Sequence, residues 1–203
     1  MAGGTMNDYR PFAMLALLFA LLLSACSGAS ERGDPPLKGA RVGGPFTLVN
    51  QDGQTVRDSD FKGKYRIVYF GYTYCPDVCP VDMQALGQGL KMFEKTDAAR
   101  AAKVQPIFIS VDPERDTPAV IKEFVANFHP RFIGLTGTPE QLAASAKEFG
   151  VYFARSGDPA AKDYLVDHTN IALLMGPEGE PIAMLPHDKG PGAVAAELQR
   201  WVE

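Results

Sequence analysis

A β-branched and aromatic run, Arg66-Ile67-Val68-Tyr69-Phe70, leads straight into Gly71-Tyr72-Thr73-Tyr74-Cys75-Pro76-Asp77-Val78-Cys79-Pro80, and a helical pattern follows. A strand that feeds a helix through two cysteines constrains this chain more than any other feature. Runs of the first kind suit a central strand covered on both faces. Over residues 80–95, Val81, Leu86, Leu90 and Phe93 recur at mostly helical spacing, and Pro80 suits a first helical position. The cysteines therefore fall at the carboxyl end of a sheet strand, where α/β folds build their sites.

The flanking segments extend this pattern. Val104–Val111 reads as a second covered strand, with Pro106 weakening its start. Thr117-Pro118 opens a helix through about Asn127, and Thr138-Pro139-Glu140 opens another through about Phe149. Residues 164–175 and 181–185 read as strands around a Pro177-Glu178-Gly179-Glu180 hairpin, and residues 191–202 as a closing helix. Ahead of them, Phe46–Val49 and Gln54–Val56 flank Asp52-Gly53, a strong hairpin signal. The order predicts an α/β sandwich with a mixed central sheet and an N-terminal hairpin extension.

With 203 residues, 46% of them hydrophobic, the chain can bury one domain plus a leader. Twenty basic against 24 acidic residues, without a block of like charge, mark neither nucleic acid nor anionic lipid as an electrostatic partner. Residues 11–23 form an apolar run of export-signal length, preceded by Arg10 and followed by Leu23-Ser24-Ala25-Cys26. That run is short of the ~20 residues that span a bilayer comfortably. Leu-Ser-Ala-Cys resembles a lipoprotein lipobox, whose cysteine becomes the acylated first residue. The expected layout is thus a signal segment over 1–26, a Gly/Pro/Ser-rich linker over 27–44 and a domain over 45–203. The domain would sit on the periplasmic or extracytoplasmic side, tethered by lipidated Cys26 or an uncleaved anchor.

Three residues separate Cys75 from Cys79, whereas disulfide-exchange sites more usually have two; the wider loop can splay two sulfurs around an ion. If Pro80 begins the helix, Cys79 stands at or beside its N-cap, where the dipole and free amides favour thiolate. A plain stabilising disulfide is the alternative in an oxidising compartment. A third donor, His168, lies in Tyr164-Leu165-Val166-Asp167-His168-Thr169, just before the Ile171–Met175 strand. In thioredoxin-like folds a cis-proline faces the active-site cysteines at or beside this place. Two thiolates and an imidazole form a soft set that suits Cu(I) and can also take Cu(II), while structural zinc normally wants a fourth protein ligand. Asp167 is a candidate to orient the imidazole.

Three segments, Gly71–Pro80, Ser110-Val111-Asp112-Pro113-Glu114-Arg115-Asp116-Thr117-Pro118, and Tyr164–Thr169 with Gly176–Gly179, together resemble the Sco/SenC family, named for synthesis of cytochrome c oxidase. The resemblance runs from about residue 40 to the end. It implies a thioredoxin-like fold, copper held by Cys75, Cys79 and His168, and delivery of copper to the CuA centre of cytochrome c oxidase subunit II. An upstream copper donor and a thiol reductant are further implied partners, because oxidation of Cys75 and Cys79 to a disulfide removes the ligands. Family members are often held by a transmembrane helix, so the lipobox departs from the common pattern.

The remaining candidates carry less. His129 and His187 read as surface residues, Met83 as core filling in preference to a thioether donor, and Tyr72 and Tyr74 either as walls of the site or as a pair of which one packs inward with the strand. Residues 112–116 read as a loop-fixing segment without chemistry of their own. No phosphate loop, paired catalytic carboxylates or serine nucleophile motif is present in the sequence. The function therefore lies between a copper metallochaperone, a thiol–disulfide reductase that keeps acceptor cysteines reduced, and a redox or copper sensor, for which no output element is visible.

Overall fold

The structure, a computed structural model, describes residues 33–158 and 163–203. The signal segment with Cys26 and residues 27–32 of the linker lie outside the described residues. Seven strands form one sheet: β1 (Thr47–Asn50), β2 (Thr55–Arg57), β3 (Tyr65–Gly71), β4 (Val104–Ser110), β5 (Ile133–Thr136), β8 (Ala172–Met175) and β9 (Pro181–Met184). Their order across the sheet is β2-β1-β5-β4-β3-β8-β9. The central β5, β4 and β3 run parallel, and every other pairing is antiparallel. A separate antiparallel ribbon pairs β6 (Phe153–Ser156) with β7 (Leu165–His168). The α/β sandwich with a mixed sheet is as the sequence predicts, and the hairpin extension is present as the β1–β2 edge.

That hairpin closes through Gly53, whose φ of +77° only glycine adopts without strain. The Asn50 side-chain oxygen accepts from the amides of Asp52 and Gln54, which fixes the turn. All seven residues of β3 are buried, as its apolar run requires. Pro106 is accommodated inside β4 because the ladder to β5 begins only at Ile107, so its missing donor falls before that pairing.

Four longer helices cover the sheet: α1 (Val78–Thr96), α2 (Pro118–Ala126), α3 (Pro139–Glu148) and α4 (Pro191–Trp201). Thr117 and Thr138 cap α2 and α3 with their hydroxyls, each followed by proline at the first helical position. Tyr69 points to α1, bonding Asp82, while its neighbour Phe70 stacks on Phe149 just past α3. Alternate residues of β3 thus fill the two layers of the core.

Three expectations change. Leu37 and Val42 pack against the core, the Leu37 amide bonds the Ile182 carbonyl and the Gly43 amide the Glu148 carbonyl, so the packed chain begins well before Pro45. Composition hid this, because two apolar residues stand among many Gly and Pro. The run 164–175 is not one strand: it breaks at residues 169–171, giving β7 to the ribbon and β8 to the main sheet. Helix α1 begins at Val78 with Asp77 as its N-cap, which places Pro80 third. A first-turn amide has no helical partner, so proline is tolerated there too.

Candidate metal centre

Strand β3 ends at Gly71, and the next eight residues hold Cys75 in the connecting loop and Cys79 in the first turn of α1. A methyl group at Gly71 would lie 3.0 Å from the Tyr69 ring, 3.1 Å from the Phe108 ring and 3.2 Å from Cys79 Sγ. Glycine is what lets the buried sulfur approach the end of the strand. Both cysteines are reduced; Cys75 is half-buried and Cys79 is fully enclosed at 0% exposure.

His168 arrives from β7, where it pairs with Phe153. Its Nδ1 lies 3.2 Å from the Thr169 carbonyl oxygen, which can only accept, so Nδ1 carries the hydrogen. That leaves Nε2 bare, 3.4 Å from Cys79 Sγ. The Tyr69 and Tyr72 rings stand edge-on to the imidazole at 6.4 and 6.1 Å between centroids. Burial holds the His168 pKa below its ordinary value, keeping the ring neutral. Asp167 does not orient it: its side chain is exposed, since adjacent strand residues face opposite ways, and the backbone carbonyl of Thr169 takes that part.

The two thiols differ. Burial pushes Cys79 up to about 12, against a smaller lowering from the Tyr72 backbone. Burial opposes ionisation of Cys75 as well, but the amides of Cys79, Asp77 and Val78 face its sulfur and bring its pKa below the ordinary thiol value. The Cys79 amide donates to Cys75 Sγ at 3.4 Å. The expected helix-terminus effect is real, but it falls on Cys75, because α1 starts earlier than Pro80 and turns the Cys79 side chain inward.

Tyr72 is the inward member of its pair and Tyr74 the outward one, 54% exposed. Met83 lies wholly in the core. His129 and His187 are both buried, contrary to the surface reading, at 2% and 8% exposure. His129 sits between Glu94 and the Arg131 amide. His187 stacks edge-on against Tyr69, with its Nδ1 3.8 Å from the buried Asp82 carboxylate. Asp82 in turn accepts from the Tyr69 hydroxyl at 2.9 Å. Sequence reasoning missed this polar group behind the cysteines; the available signal was Asp82 itself, an acid three residues after Cys79 on the helix face of Met83 and Leu86.

Among the described residues no three His, Cys, Asp or Glu side chains are already gathered around one point. Cys79 and His168 face each other, while Cys75 is held to the helix amides at the mouth of a cleft of about 310 Å³ shared with Tyr72, Val78, Leu165 and His168. Two soft donors and a neutral imidazole in this arrangement fit a soft cation of low coordination number. They equally fit a dithiol with one accessible and one enclosed sulfur.

Comparison with known proteins bears on both. The SCO1/SenC family model matches residues 34–203. Protein SenC of Rhodobacter capsulatus is 44% identical over 158 residues, 77% of this chain and 68% of that protein. The structure of Bradyrhizobium japonicum ScoI with copper bound superposes with a TM-score of 0.71 at 39% identity, covering 79% of this chain and 99% of that one. A disulfide switch has been described in BsSco, a member of the Sco family of cytochrome c oxidase assembly proteins; it covers 83% of this chain and 95% of its own, with 27% identity and a TM-score of 0.59. The chain spans about half the length of its mitochondrial relatives, between 40% and 57% of each. With the thioredoxin-like Sco fold and a family match over residues 34–203, this chain belongs to the SCO1/SenC family.

Proposed function

We propose that this protein captures one copper ion through Cys75, Cys79 and His168 and passes it on to support assembly of the CuA centre of cytochrome c oxidase. The observation that carries the reading is the facing pair of Cys79 Sγ and bare His168 Nε2 at 3.4 Å. In the reduced protein that bare nitrogen is placed to accept the thiol hydrogen. A cation that displaces it meets two donors already opposed, and the half-exposed Cys75 stands at the mouth to supply a third. Binding therefore releases thiol protons, and the soft donor set favours Cu(I). Release runs the other way, with an acceptor's thiolates entering at Cys75, the accessible ligand.

Export and tethering by the leader, with acylation at Cys26, belong to the same proposal, because an exported dithiol needs an outside source of electrons and copper. Metal analysis tests the copper reading. The reduced chain, offered copper and zinc, retains one copper per molecule, and substitution of Cys75, Cys79 or His168 abolishes that retention. Copper bound equally well by His168→Ala removes the histidine from the site.

A second reading, thiol–disulfide exchange, is favoured by the contrast between the two sulfurs. The Cys75 thiolate attacks an acceptor disulfide, forming a mixed disulfide and expelling one acceptor thiolate. Cys79 then attacks Cys75, expelling the second acceptor thiolate and leaving Cys75–Cys79 oxidised; an external thiol reductant restores them. Copper-free disulfide reduction that survives His168→Ala and is lost in Cys75→Ala favours this activity.

A further inference from the structure

The loop after β4, Asp112–Asp116, has no role in the capture scheme above, yet its two carboxylates reach both segments that bring the ligands together. Asp116 is completely buried and has no cationic partner within bonding distance among the described residues. It accepts from the Thr73 amide at 3.1 Å, the Thr73 hydroxyl at 2.6 Å and the Ser110 hydroxyl at 2.6 Å. Thr73 stands two residues before Cys75. A buried carboxylate with three donors fixes the backbone that supplies them, because any one left unpaired is costly.

Asp112 works on the other side. Buried as well, it accepts from the Tyr164 hydroxyl at 2.6 Å and pairs with the Arg115 side chain. Tyr164 immediately precedes β7, the strand that carries His168. The Arg115 guanidinium lies 3.6 Å from the Tyr164 ring centroid and 5.7 Å from that of Tyr72, and Tyr72 is edge-on to His168. Ser110, the last residue of β4, joins the two acids by donating to Asp116 and accepting from the Asp112 amide, and the Asp116 amide bonds the Asp112 carbonyl. One short loop is thereby tied to the cysteine loop through Thr73 and to the histidine strand through Tyr164.

We propose that Asp116 and Asp112 are positioning residues, which set the separation of the Cys75–Cys79 turn from His168 through Thr73 and Tyr164. Among the described residues the loop makes no hydrogen bond or ion pair to Cys75, Cys79 or His168; it acts on the two backbones that present them. This inference rests on the copper-capture reading for its consequence, but its geometric content stands without copper.

The test uses the full chain, reduced, with the variants Asp116→Asn, Thr73→Val, Thr73→Ser and Tyr164→Phe. Two quantities are read: Cu(I) affinity by competition with a chromophoric chelator, and, without metal, the NMR signals of the 75–79 amides and the His168 ring. Asp116→Asn and Thr73→Val are expected to lower affinity about 10–100-fold, the usual effect of removing a ligand's supporting partner. They also shift the 75–79 signals of the metal-free protein, and Thr73→Ser, which keeps the hydroxyl, restores both. Tyr164→Phe shifts the His168 ring more than the cysteine turn. Thr73→Val guards against an Asp116→Asn chain that fails to fold. If folded Thr73→Val keeps wild-type affinity and unshifted metal-free signals, the proposal is overturned. Should the wild type bind no copper at these residues, the capture reading fails, and the metal-free signals alone still decide the positioning.

Discussion

Cys79 Sγ and His168 Nε2 lie 3.4 Å apart although they are 89 positions apart in the chain. The contact is closed by a hydrogen on Nδ1 that the Thr169 carbonyl holds in place, so the imidazole meets the sulfur with its lone pair. Replacing His168 with Ala removes a direct donor, and the expected loss of Cu(I) affinity exceeds the roughly 10–100-fold that follows loss of a mere supporting partner. Competition titration of the reduced protein measures it. Wild-type affinity in this variant would break the link between the observed geometry and metal capture.

The two sulfurs should also differ as nucleophiles. Cys79 is enclosed and its pKa is pushed up to about 12, whereas helix amides lower that of the half-exposed Cys75. Against an ordinary thiol at ~8.5, Cys79 therefore holds far less thiolate at neutral pH. Brief alkylation of the reduced metal-free protein, mapped by peptide mass, should therefore label Cys75 and leave Cys79 intact. Equal labelling of both would contradict the enclosed position of Cys79.

Much of this arrangement was legible from residue order. The covered run at 66–70, the proline-led helices after Thr117 and Thr138, and Asp52-Gly53 each carry local physics strong enough to survive folding. Strands β5 and β6 escaped notice because Ile133–Thr136 and Phe153–Ser156 are short and lack the hairpin turn signals that marked the equally short β1, β8 and β9. At the site, Cys75 and Cys79 stood out by their spacing and their place between strand and helix, whereas His168 was singled out from three histidines only by its expected place opposite them in a thioredoxin-like fold; the structure brings it to Cys79. What could not be read was which cysteine faces the helix amides, since this depends on a two-residue shift in where α1 starts. The burial of His129 and His187 was equally hidden: each lies beside a proline in a short connecting segment, and only tertiary packing folds those segments inward.

Gly71 offers a test that substitutes none of Cys75, Cys79 and His168. A methyl group there meets the Tyr69 ring, the Phe108 ring and Cys79 Sγ between 3.0 and 3.2 Å, closer than a packed core accommodates without movement. Both rings are wedged in the core, so the sulfur and the start of α1 must shift. Gly71→Ala should cost about 1–3 kcal/mol in unfolding free energy, as overpacking does, and weaken copper binding as well. Urea unfolding and chelator competition on the same sample separate the two effects. Undiminished binding with reduced stability would mean that the site tolerates displacement of Cys79.

The buried His129 makes folding stability depend on pH in a direction that can be worked out. Burial is the largest influence and lowers its pKa; Glu94 opposes this, while Arg131 and Lys91 reinforce it. The folded protein thus resists a proton that the unfolded chain accepts near the ordinary histidine value of ~6.5. With more protons bound in the unfolded state, stability rises with pH. The stabilisation is complete above that value, is lost as pH falls through it, and the loss levels off below the lower folded pKa. Each such histidine contributes a slope of at most about 1.4 kcal/mol per pH unit, and His168, lowered by its own burial, adds a second contribution. His129→Asn keeps an acceptor for the Arg131 amide and removes the titrating ring. Urea unfolding of the reduced, copper-free protein between roughly pH 5.5 and 8 should therefore show a shallower pH dependence in this variant than in the wild type, with the remaining slope reduced again in the His129→Asn/His168→Ala pair.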